Sequence, residues 1–331
     1  MKALAYEKAH SLDAFAMDLV EVGEPELRDR DLLIEIHAVG VNPGEVGMRA
    51  TRSADPGGRL VLGWEFAGVV IGSGPAATGF TTGDRVMGTG DVTRDGCWAE
   101  RLAVDHRVVA KIPPELSFVD AASLPIGGLT AWEAMFRDQQ TVPPGVDRVL
   151  VVGGAGGVGS MATQLLKARS SARVVATASR PESQDWCRAM GADLVVDHTK
   201  DVVEQLAAAG LDDVDMVVST AGTADNLSWI SDLLRPFGHL SAIDLDGPLD
   251  IGPLVMKSAS IHAEMVFSQI VSGADPSNQG SILESVVAHV VAGQLRPVVT
   301  TQLDGLTPRT MKTAHELLET RRTVGKVVIA T

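Results

Sequence analysis

The sequence predicts an α/β fold in which a doubly wound parallel sheet accompanies a second, barrel-like β domain. The first ~115 residues alternate short β-branched runs with Gly, Pro and Asp, which is typical of an antiparallel or barrel-like region. Residues 118–293 alternate strand-like and helix-like segments, which indicates a parallel sheet. A glycine-rich turn joins one of these strands to a helix. At 331 residues, the chain is long enough for two domains.

The strands follow from short apolar runs. In the β region these runs cover residues 32–39, 67–74, 85–90 and 101–113. Six further runs predict the parallel sheet, at residues 149–153, 172–178, 193–197, 215–220, 239–243 and 260–266. The chain then becomes β again over 296–303, forms a helix near 310–319, and ends in the strand GKVVIA. We expect this tail to rejoin the first domain, so the predicted domains are 1–117, 118–293 and the return segment 294–331.

Charge and cysteine content exclude several classes of protein. A formal net charge of −14, without any Lys/Arg-rich run, disfavours nucleic acid and anionic membranes as partners. The two cysteines, Cys97 and Cys187, form no CxxC motif, so neither a disulfide framework nor a cysteine-rich zinc site is expected. We expect no signal peptide and no membrane span, since long apolar runs are absent, and we predict a cytoplasmic protein.

The most specific local motif is a GxGxxG turn between the strand at 149–153 and an amphipathic helix. Its glycines are Gly154, Gly156, Gly157 and Gly159, with Val158 before the last. We expect Gly154 to permit a tight turn, Gly156 to let a pyrophosphate approach, and Gly159 to let the helix pack on the strand. Backbone N–H groups and the helix dipole would hold the anion. A flexible glycine loop is the alternative, but the strand–turn–helix context favours a Rossmann dinucleotide-binding domain.

The end of the second strand of this sheet indicates which dinucleotide binds. NAD-binding proteins place an acidic residue there, whereas this chain has Ser179 and Arg180. An arginine can form two charge-assisted hydrogen bonds to a 2′-phosphate, so we predict NADP(H), with His198 as a further contact. Alternatively, Ser179 and Glu182 form a capping box, with Pro181 at the first helical position. The two interpretations are compatible.

Longer stretches resemble a known family. They are AVGVNPGEV at 38–46, LGWEFAGVV at 62–70, FTTGDRV at 80–86, AASLPIGGLTAWEAMF at 121–136, and the closing GKVVI. With the glycine motif, they resemble the medium-chain dehydrogenase/reductase superfamily, and within it the quinone oxidoreductase branch and the zinc-type alcohol dehydrogenase-like proteins. The resemblance implies a GroES-like β-barrel domain beside the Rossmann domain, and a homodimer formed through the sixth strand of the parallel sheet.

The sequence departs from the zinc-using members of this superfamily. In those members a histidine ligand stands at the position of Trp64, and a cysteine ligand lies in the segment around Asn42. An indole cannot bind zinc, and no cysteine lies near Asn42. None of the eight histidines has HxxxH or HxH spacing. We therefore predict no metal site.

The resemblance also implies roles for individual residues. It implies that Asn42 and Thr130 lie near the nicotinamide ribose and carboxamide. It also implies that Met265 and Phe267 form a wall over the ring and that Lys326 lies at the cofactor edge. Each has a structural alternative. Asn42 could hold a turn, Thr130 could cap a helix, and Met265 and Phe267 could fill the core.

Trp64 and Glu65 lie between two glycines within an apolar run. We predict that Trp64 forms an apolar wall beside the nicotinamide, and the alternative is an ordinary core tryptophan. Glu65 is expected to have a structural role, in which it pairs with an arginine or satisfies backbone groups beneath the site.

The missing metal restricts the chemistry. Hydride transfer to a simple ketone produces an alkoxide, whose conjugate acid is as weak as water and has a very high pKa. A quinone or an α,β-unsaturated carbonyl instead spreads the charge as a phenolate does, with a pKa of about 10. The difference is worth about 8 kcal/mol. We therefore predict an NADPH-dependent reductase of quinones or α,β-unsaturated carbonyls. A metal-independent carbonyl reductase or alcohol dehydrogenase, and an NADPH-binding protein with little turnover, are the alternatives.

Overall fold

The computed structural model describes residues 1–137, 140–244 and 247–331. The chain divides into two compact units. The first contains Met1–Ile126, Phe267–Ala292 and Arg296–Thr331, and the second contains Gly127–Val266 and Gly293–Leu295.

The structure places strands and helices throughout both units. The strands are β1 (Lys2–Ala5), β2 (Asp18–Glu21), β3 (Asp31–Val41), β4 (Glu65–Ser73), β5 (Arg85–Thr89), β6 (Arg101–Asp105), β7 (Val109–Lys111), β8 (Arg148–Val152), β9 (Arg173–Thr177), β10 (Leu194–Val196), β11 (Val214–Ser219), β12 (Leu234–Ala242), β13 (Ser260–Ala263), β14 (Val299–Asp304) and β15 (Lys326–Ala330). The helices are α1 (Pro43–Thr51), α2 (Phe118–Ala121), α3 (Pro125–Phe136), α4 (Gly157–Arg169), α5 (Pro181–Ala189), α6 (Val202–Ala208), α7 (Thr223–Leu233), α8 (Gly252–Val255), α9 (Ser268–Ser272), α10 (Ser277–Val291) and α11 (Pro308–Glu319). A 3₁₀ helix covers His106–Val108.

The main sheet of the first unit has the order β14-β15-β3-β4-β5-β7, with β6 paired to β3. All its pairings are antiparallel except that of β14 with β15. β15 pairs with the end of β3, where Val327 lies opposite Val41, so the C-terminal tail does join the sheet of the first unit. β1 and β2 form a separate antiparallel pair.

The register between β3 and β4 assembles the candidate site. Val39 near the end of β3 lies opposite Phe66 near the start of β4. Because the strands are antiparallel, the residues after β3 and those before β4 come together at one end of the sheet. Asn42 leads from β3 into α1 there, and Trp64 immediately precedes β4.

The second unit contains a six-stranded parallel sheet in the order β10-β9-β8-β11-β12-β13. This is the doubly wound Rossmann order, in which strand order reverses between β8 and β11. The six strands predicted from the sequence are all present. β13 is shorter than predicted, because it ends at Ala263 and leaves Met265 and Val266 outside the strand.

The segment that contains α10 groups with the first unit, whereas the sequence boundaries assigned it to the second domain. α10 packs against β7 and the 3₁₀ helix. Gly280 allows this approach, since a Cβ there would lie 2.6 Å from the carbonyl oxygen of Arg107. The Arg107–Asp275 ion pair, 2.8 Å long, lies at the same contact. Helical periodicity shows that a helix has a buried face but does not say which unit covers it.

None of the helices in the described part of the chain has the length and apolar character that a membrane span requires.

Candidate functional site

A buried ion pair lies at the centre of the candidate site in the first unit. The Lys326 ammonium is 2.6 Å from Oε2 of Glu65, and the two side chains are 7% and 0% exposed. Oε1 of Glu65 accepts a hydrogen bond from the backbone N–H of Ile126 at 2.8 Å. Gly40 provides the space, because a Cβ there would lie 2.3 Å from Oε2 of Glu65. The expected backbone partner of Glu65 is therefore present. The prediction of an arginine partner for Glu65 was wrong, because the partner is Lys326 at the start of β15.

Asn42 joins this ion pair with both ends of its amide. Its Nδ2 donates to Oε2 of Glu65 at 3.1 Å, and its Oδ1 accepts from the Lys326 ammonium. The residue also occupies the N-cap of α1, directly before Pro43. Asn42 therefore holds the turn, as one interpretation predicted, while its side chain faces the buried charges. Lys326, which the resemblance placed at the cofactor edge, has its ammonium bound to Glu65 and Asn42.

Glu45 is a buried residue of this site that the sequence analysis did not identify. Its Oε2 accepts from the backbone N–H of Asn42 at 2.6 Å, and its Oε1 accepts from that of Trp64 at 2.9 Å. Burial raises the pKa of its carboxyl to about 7. The sequence contained a signal, because an acidic residue three positions after an N-cap asparagine is the spacing of a capping box. We name the set Asn42, Glu45, Trp64, Glu65 and Lys326 the charged corner.

Trp64 is 4% exposed and packs in the main apolar core of the first unit. Its ring contacts that of Phe267 edge to face, with centroids 6.1 Å apart. The indole N–H is buried and has no hydrogen-bond acceptor in the described part of the chain. Buried donors nearly always have partners, so this N–H requires an explanation.

In the second unit, the glycine turn connects β8 to α4 with a different role for each glycine. Gly153, and not Gly154, has the positive φ of +75° that the turn requires. A Cβ on Gly154 would lie 2.7 Å from Cβ of Ala176, so Gly154 is needed for packing on β9. A Cβ on Gly159 would lie 2.3 Å from the carbonyl oxygen of Gly153, which agrees with the predicted helix–strand approach. At Gly156, the nearest atom would be 3.6 Å away.

The start of α4 has the properties of an anion site. Its N-cap, Gly156, supplies no side-chain hydrogen bond. Within the described residues, the backbone N–H groups of Gly157 and Val158 have no backbone acceptor outside the helix. N-terminal N–H groups of a helix favour a phosphate, and Gly156 leaves the approach open on the protein side. These residues therefore fit the pyrophosphate of a dinucleotide.

The residues after β9 differ in one respect from their predicted arrangement. α5 begins at Pro181, and its N-cap is Arg180 rather than Ser179. Ser183 completes the cap, because its hydroxyl accepts from the backbone N–H of Arg180 at 3.2 Å and donates to the carbonyl at 2.8 Å. The predicted capping box of Ser179 and Glu182 is therefore wrong.

Glu182 instead forms an ion pair with Arg180, with Nε 2.9 Å from Oε1. The Glu182 side chain is 70% exposed. His198 lies on the surface in the loop after β10. No acidic residue occupies positions 178–180.

Three residues that the resemblance linked to the nicotinamide lie as follows. Thr130 is buried in the middle of α3, so it does not cap a helix. Met265 is 51% exposed just after β13, so it does not fill the core. Phe267 belongs to the first unit, where it packs against the main core and contacts Trp64.

The charged corner does not fit a catalytic zinc ion. Trp64 offers an indole in place of a nitrogen ligand, and Asn42 stands in the segment where zinc-using members have a cysteine. The carboxylate of Glu65 is already paired with the Lys326 ammonium. Across the described residues, no three His, Cys, Asp or Glu side chains are placed to hold a metal ion.

Comparison with known proteins agrees with this fold. Residues 28–114 match the family model of the alcohol dehydrogenase GroES-like domain, and residues 157–274 match that of the zinc-binding dehydrogenase. A zinc-type alcohol dehydrogenase-like protein of Staphylococcus aureus is 33% identical over 336 residues, with 99% of each chain covered. The chain belongs to the medium-chain dehydrogenase/reductase superfamily. It is thus an oxidoreductase-family protein with a GroES-like unit and a Rossmann-type dinucleotide-binding unit.

Two further relatives of this superfamily member are informative. A solved structure of a candidate zinc-dependent alcohol dehydrogenase from Rhizobium etli is 38% identical, with a TM-score of 0.95, and the match covers 100% of this chain and 98% of the other. The 2-methylene-furan-3-one reductase of Solanum lycopersicum is 29% identical over 342 residues, which covers 99% of this chain and 79% of the tomato protein.

Proposed function

We propose that the protein reduces quinones or α,β-unsaturated carbonyls with NADPH and without a metal ion. When bound, the nicotinamide supplies the hydride. The observation that carries the proposal is the charged corner, where the cation beside Glu65 is the ammonium of Lys326 and Trp64 offers no metal ligand. Negative charge on the acceptor must then be stabilised without a Lewis acid.

Conjugated acceptors meet this requirement. Delocalisation lowers the basicity of the reduced product by about 6 pKa units relative to an alkoxide, or about 8 kcal/mol. A single hydrogen bond can supply part of the remaining stabilisation. The unpartnered indole N–H of Trp64 is the donor that we assign to the acceptor oxygen. This gives Trp64 a catalytic role that a core tryptophan would not have.

The preference for NADPH is supported by the residues after β9. No carboxylate at 178–180 repels a 2′-phosphate, and the guanidinium of Arg180 can form charged hydrogen bonds with one. Glu182, one partner of Arg180, is mostly exposed, and exposed ion pairs contribute about 0–1 kcal/mol. A doubly charged phosphate can therefore replace Glu182 beside Arg180.

A relative supports the class of substrate. The tomato protein is named for the reduction of a 2-methylene-furan-3-one, which is an α,β-unsaturated ketone. Its identity of 29% extends over 99% of this chain, so both units are included in the comparison.

The proposed active form is a homodimer joined through the edge of the parallel sheet. In the described part of the second unit, β13 pairs only with β12, so its other side is free. Large apolar side chains are exposed on β13, on the neighbouring strand β12 and in the segment just before β13. They are Ile261, Phe237, Val255 and Met256. An unpaired strand beside exposed apolar surface is a site where a second copy can add its own strand.

The proposal is tested by mixing the protein with NADPH and, separately, with a quinone, an enone and a saturated ketone. We expect NADPH oxidation with the first two acceptors only, and the same rate after treatment with a chelator. Trp64→Phe should lower kcat about 10²-fold, because it removes one donor to the oxyanion, while the Kd of NADPH stays unchanged. Stoichiometric zinc whose removal abolishes turnover would overturn the proposal. Tight NADPH binding without oxidation of any acceptor would instead indicate a nucleotide-binding protein.

A further inference from the structure

Glu45 connects the two chain segments that carry Asn42 and Trp64. One carboxylate oxygen accepts the backbone N–H of Asn42 at 2.6 Å, and the other accepts that of Trp64 at 2.9 Å. The residue is 1% exposed and lies in the first turn of α1. Because each oxygen binds a different segment, this side chain links the backbones of Asn42 and Trp64 directly, in addition to the Asn42–Glu65 hydrogen bond and the pairing of β3 with β4.

We infer that Glu45 is a positioning residue, which holds Asn42 and Trp64 in their reactive placement through their backbones. This inference rests on the proposed function for its catalytic consequence, but the structural connection does not depend on it. The role requires the ionised carboxylate, since in that form neither oxygen carries a proton and both accept strong hydrogen bonds. A protonated acid or an amide would direct a donor against one of the two N–H groups.

The surroundings of Glu45 make its ionisation sensitive to pH. Burial raises its pKa to about 7, against the lowering effect of the two backbone N–H groups and of Lys326 on β15. Glu65 on β4 raises it further. The Cys97 thiol also faces this carboxylate, and burial followed by the charge of Glu45 raises the pKa of that thiol. The connection therefore forms and weakens within the pH range of an ordinary assay.

Stability and activity should respond to this titration in opposite directions. The pKa of Glu45 is higher in the folded protein than its ordinary value of 4.5, so the folded state holds the proton more tightly. Its contribution to stability is present below pH 4.5 and is lost as the pH rises through about 7. The ionised form that positions the site accumulates over the same range.

The structural part is tested by ¹⁹F NMR on protein labelled with 5-fluorotryptophan. The chain has five tryptophans, and Trp64→Phe assigns the resonance of Trp64. We expect this resonance to titrate near pH 7 in the wild type and in Glu115→Gln, which removes an exposed carboxylate. In Glu45→Gln it should be displaced and independent of pH. The Trp229 resonance in the second unit should be unchanged throughout.

The catalytic part is tested with a quinone as acceptor. At about pH 8, Glu45→Gln should lower kcat about 10- to 100-fold, as a displacement of about 1 Å does, with little change in the Kd of NADPH. The wild-type loss of activity below pH 7 should vanish in this variant. Glu45→Asp should keep the pH dependence and recover part of the rate.

Failures of the two proposals can be distinguished. Absence of turnover in the wild type contradicts the proposed function, while the NMR titration still decides the role of Glu45. A wild-type Trp64 resonance and pH profile in Glu45→Gln would overturn the inference. If Glu45→Gln does not fold, the absence of a Trp64 titration in both the wild type and Glu45→Asp would overturn it equally.

Discussion

Glu65 and Lys326 form a buried ion pair in the first unit, whereas the glycine turn of the second unit has no charged side chain. The charged corner is held by side-chain hydrogen bonds among residues far apart in sequence, such as Asn42 and Lys326, which are 284 positions apart. The turn is formed by seven consecutive residues, 153–159, through its backbone geometry and its close contact with the end of β9.

The difference determines how substitutions in each region should affect stability and ligand binding. Removal of one charge from the charged corner leaves another buried charge without a partner, which lowers the free energy of unfolding of the first unit. The turn has no such charges, so a substitution should destabilise it only where the new side chain collides with neighbouring atoms, as at Gly154 and Gly159, or where the backbone has a positive φ, as at Gly153. Other positions in the turn should tolerate a small side chain and lose ligand binding alone.

The largest effect is expected from breaking the ion pair of the corner. Lys326→Met leaves the carboxylate of Glu65 buried without its cation, so the free energy of unfolding should fall by about 3–5 kcal/mol. Urea denaturation at neutral pH measures this loss. In the double variant Glu65→Gln/Lys326→Met, both charges are gone and much of the stability should return. A single variant as stable as the wild type would show that the pair is not desolvated in solution.

The glycine turn provides a matched pair of variants for the opposite behaviour. Gly159→Ala places a Cβ 2.3 Å from the carbonyl oxygen of Gly153, and should lower the free energy of unfolding by about 3 kcal/mol. Gly156→Ala meets nothing closer than 3.6 Å, so stability should be unchanged. Its Cβ would instead hinder the pyrophosphate and weaken NADPH binding about ten-fold, or 1.4 kcal/mol.

Thermal unfolding and fluorescence titration with NADPH separate these two outcomes. Equal losses of stability in Gly156→Ala and Gly159→Ala would contradict the division of roles within the turn. An unchanged NADPH affinity in Gly156→Ala would contradict the placement of a pyrophosphate at the start of α4.

The same contrast explains what the sequence could predict. The turn is local, so its strand, glycines and helix were predicted from spacing, and only the assignment of the tight turn to Gly154 was wrong, because Gly153 has the positive φ that the turn requires. The network of the corner arises from strand pairing, which brings Lys326 next to residues that no spacing rule connects to it. Glu45 was missed for a related reason. Its capping-box spacing was visible, but its second bond, to Trp64, depends on the β3–β4 register.

The error at α5 has a similar physical origin. Ser179 and Ser183 are both close enough to Pro181 to serve in a cap, and the sequence does not show where the first helical turn closes. In the structure the helix begins at Pro181, as predicted, but its N-cap is Arg180 rather than Ser179, so Ser183 makes the capping bonds and Glu182 pairs with Arg180.

The smallest effects concern this Arg180–Glu182 pair, which resembles the corner in charge but lies at the surface. Arg180→Ala should raise the Kd of NADPH ten-fold or more, since a charged hydrogen bond is worth about 1.5–3 kcal/mol, with little change for NADH. Glu182→Gln removes one exposed partner of Arg180 and should lower the Kd of NADPH by no more than about five-fold, or 1 kcal/mol. Neither variant should change the free energy of unfolding by more than about 1 kcal/mol, in contrast to Lys326→Met.

Titration of each variant with both nucleotides checks these values. Equal losses of NADPH and NADH affinity in Arg180→Ala would refute the assignment of Arg180 to the 2′-phosphate, and weaker NADPH binding in Glu182→Gln would show that the ion pair orients the guanidinium rather than competing for it.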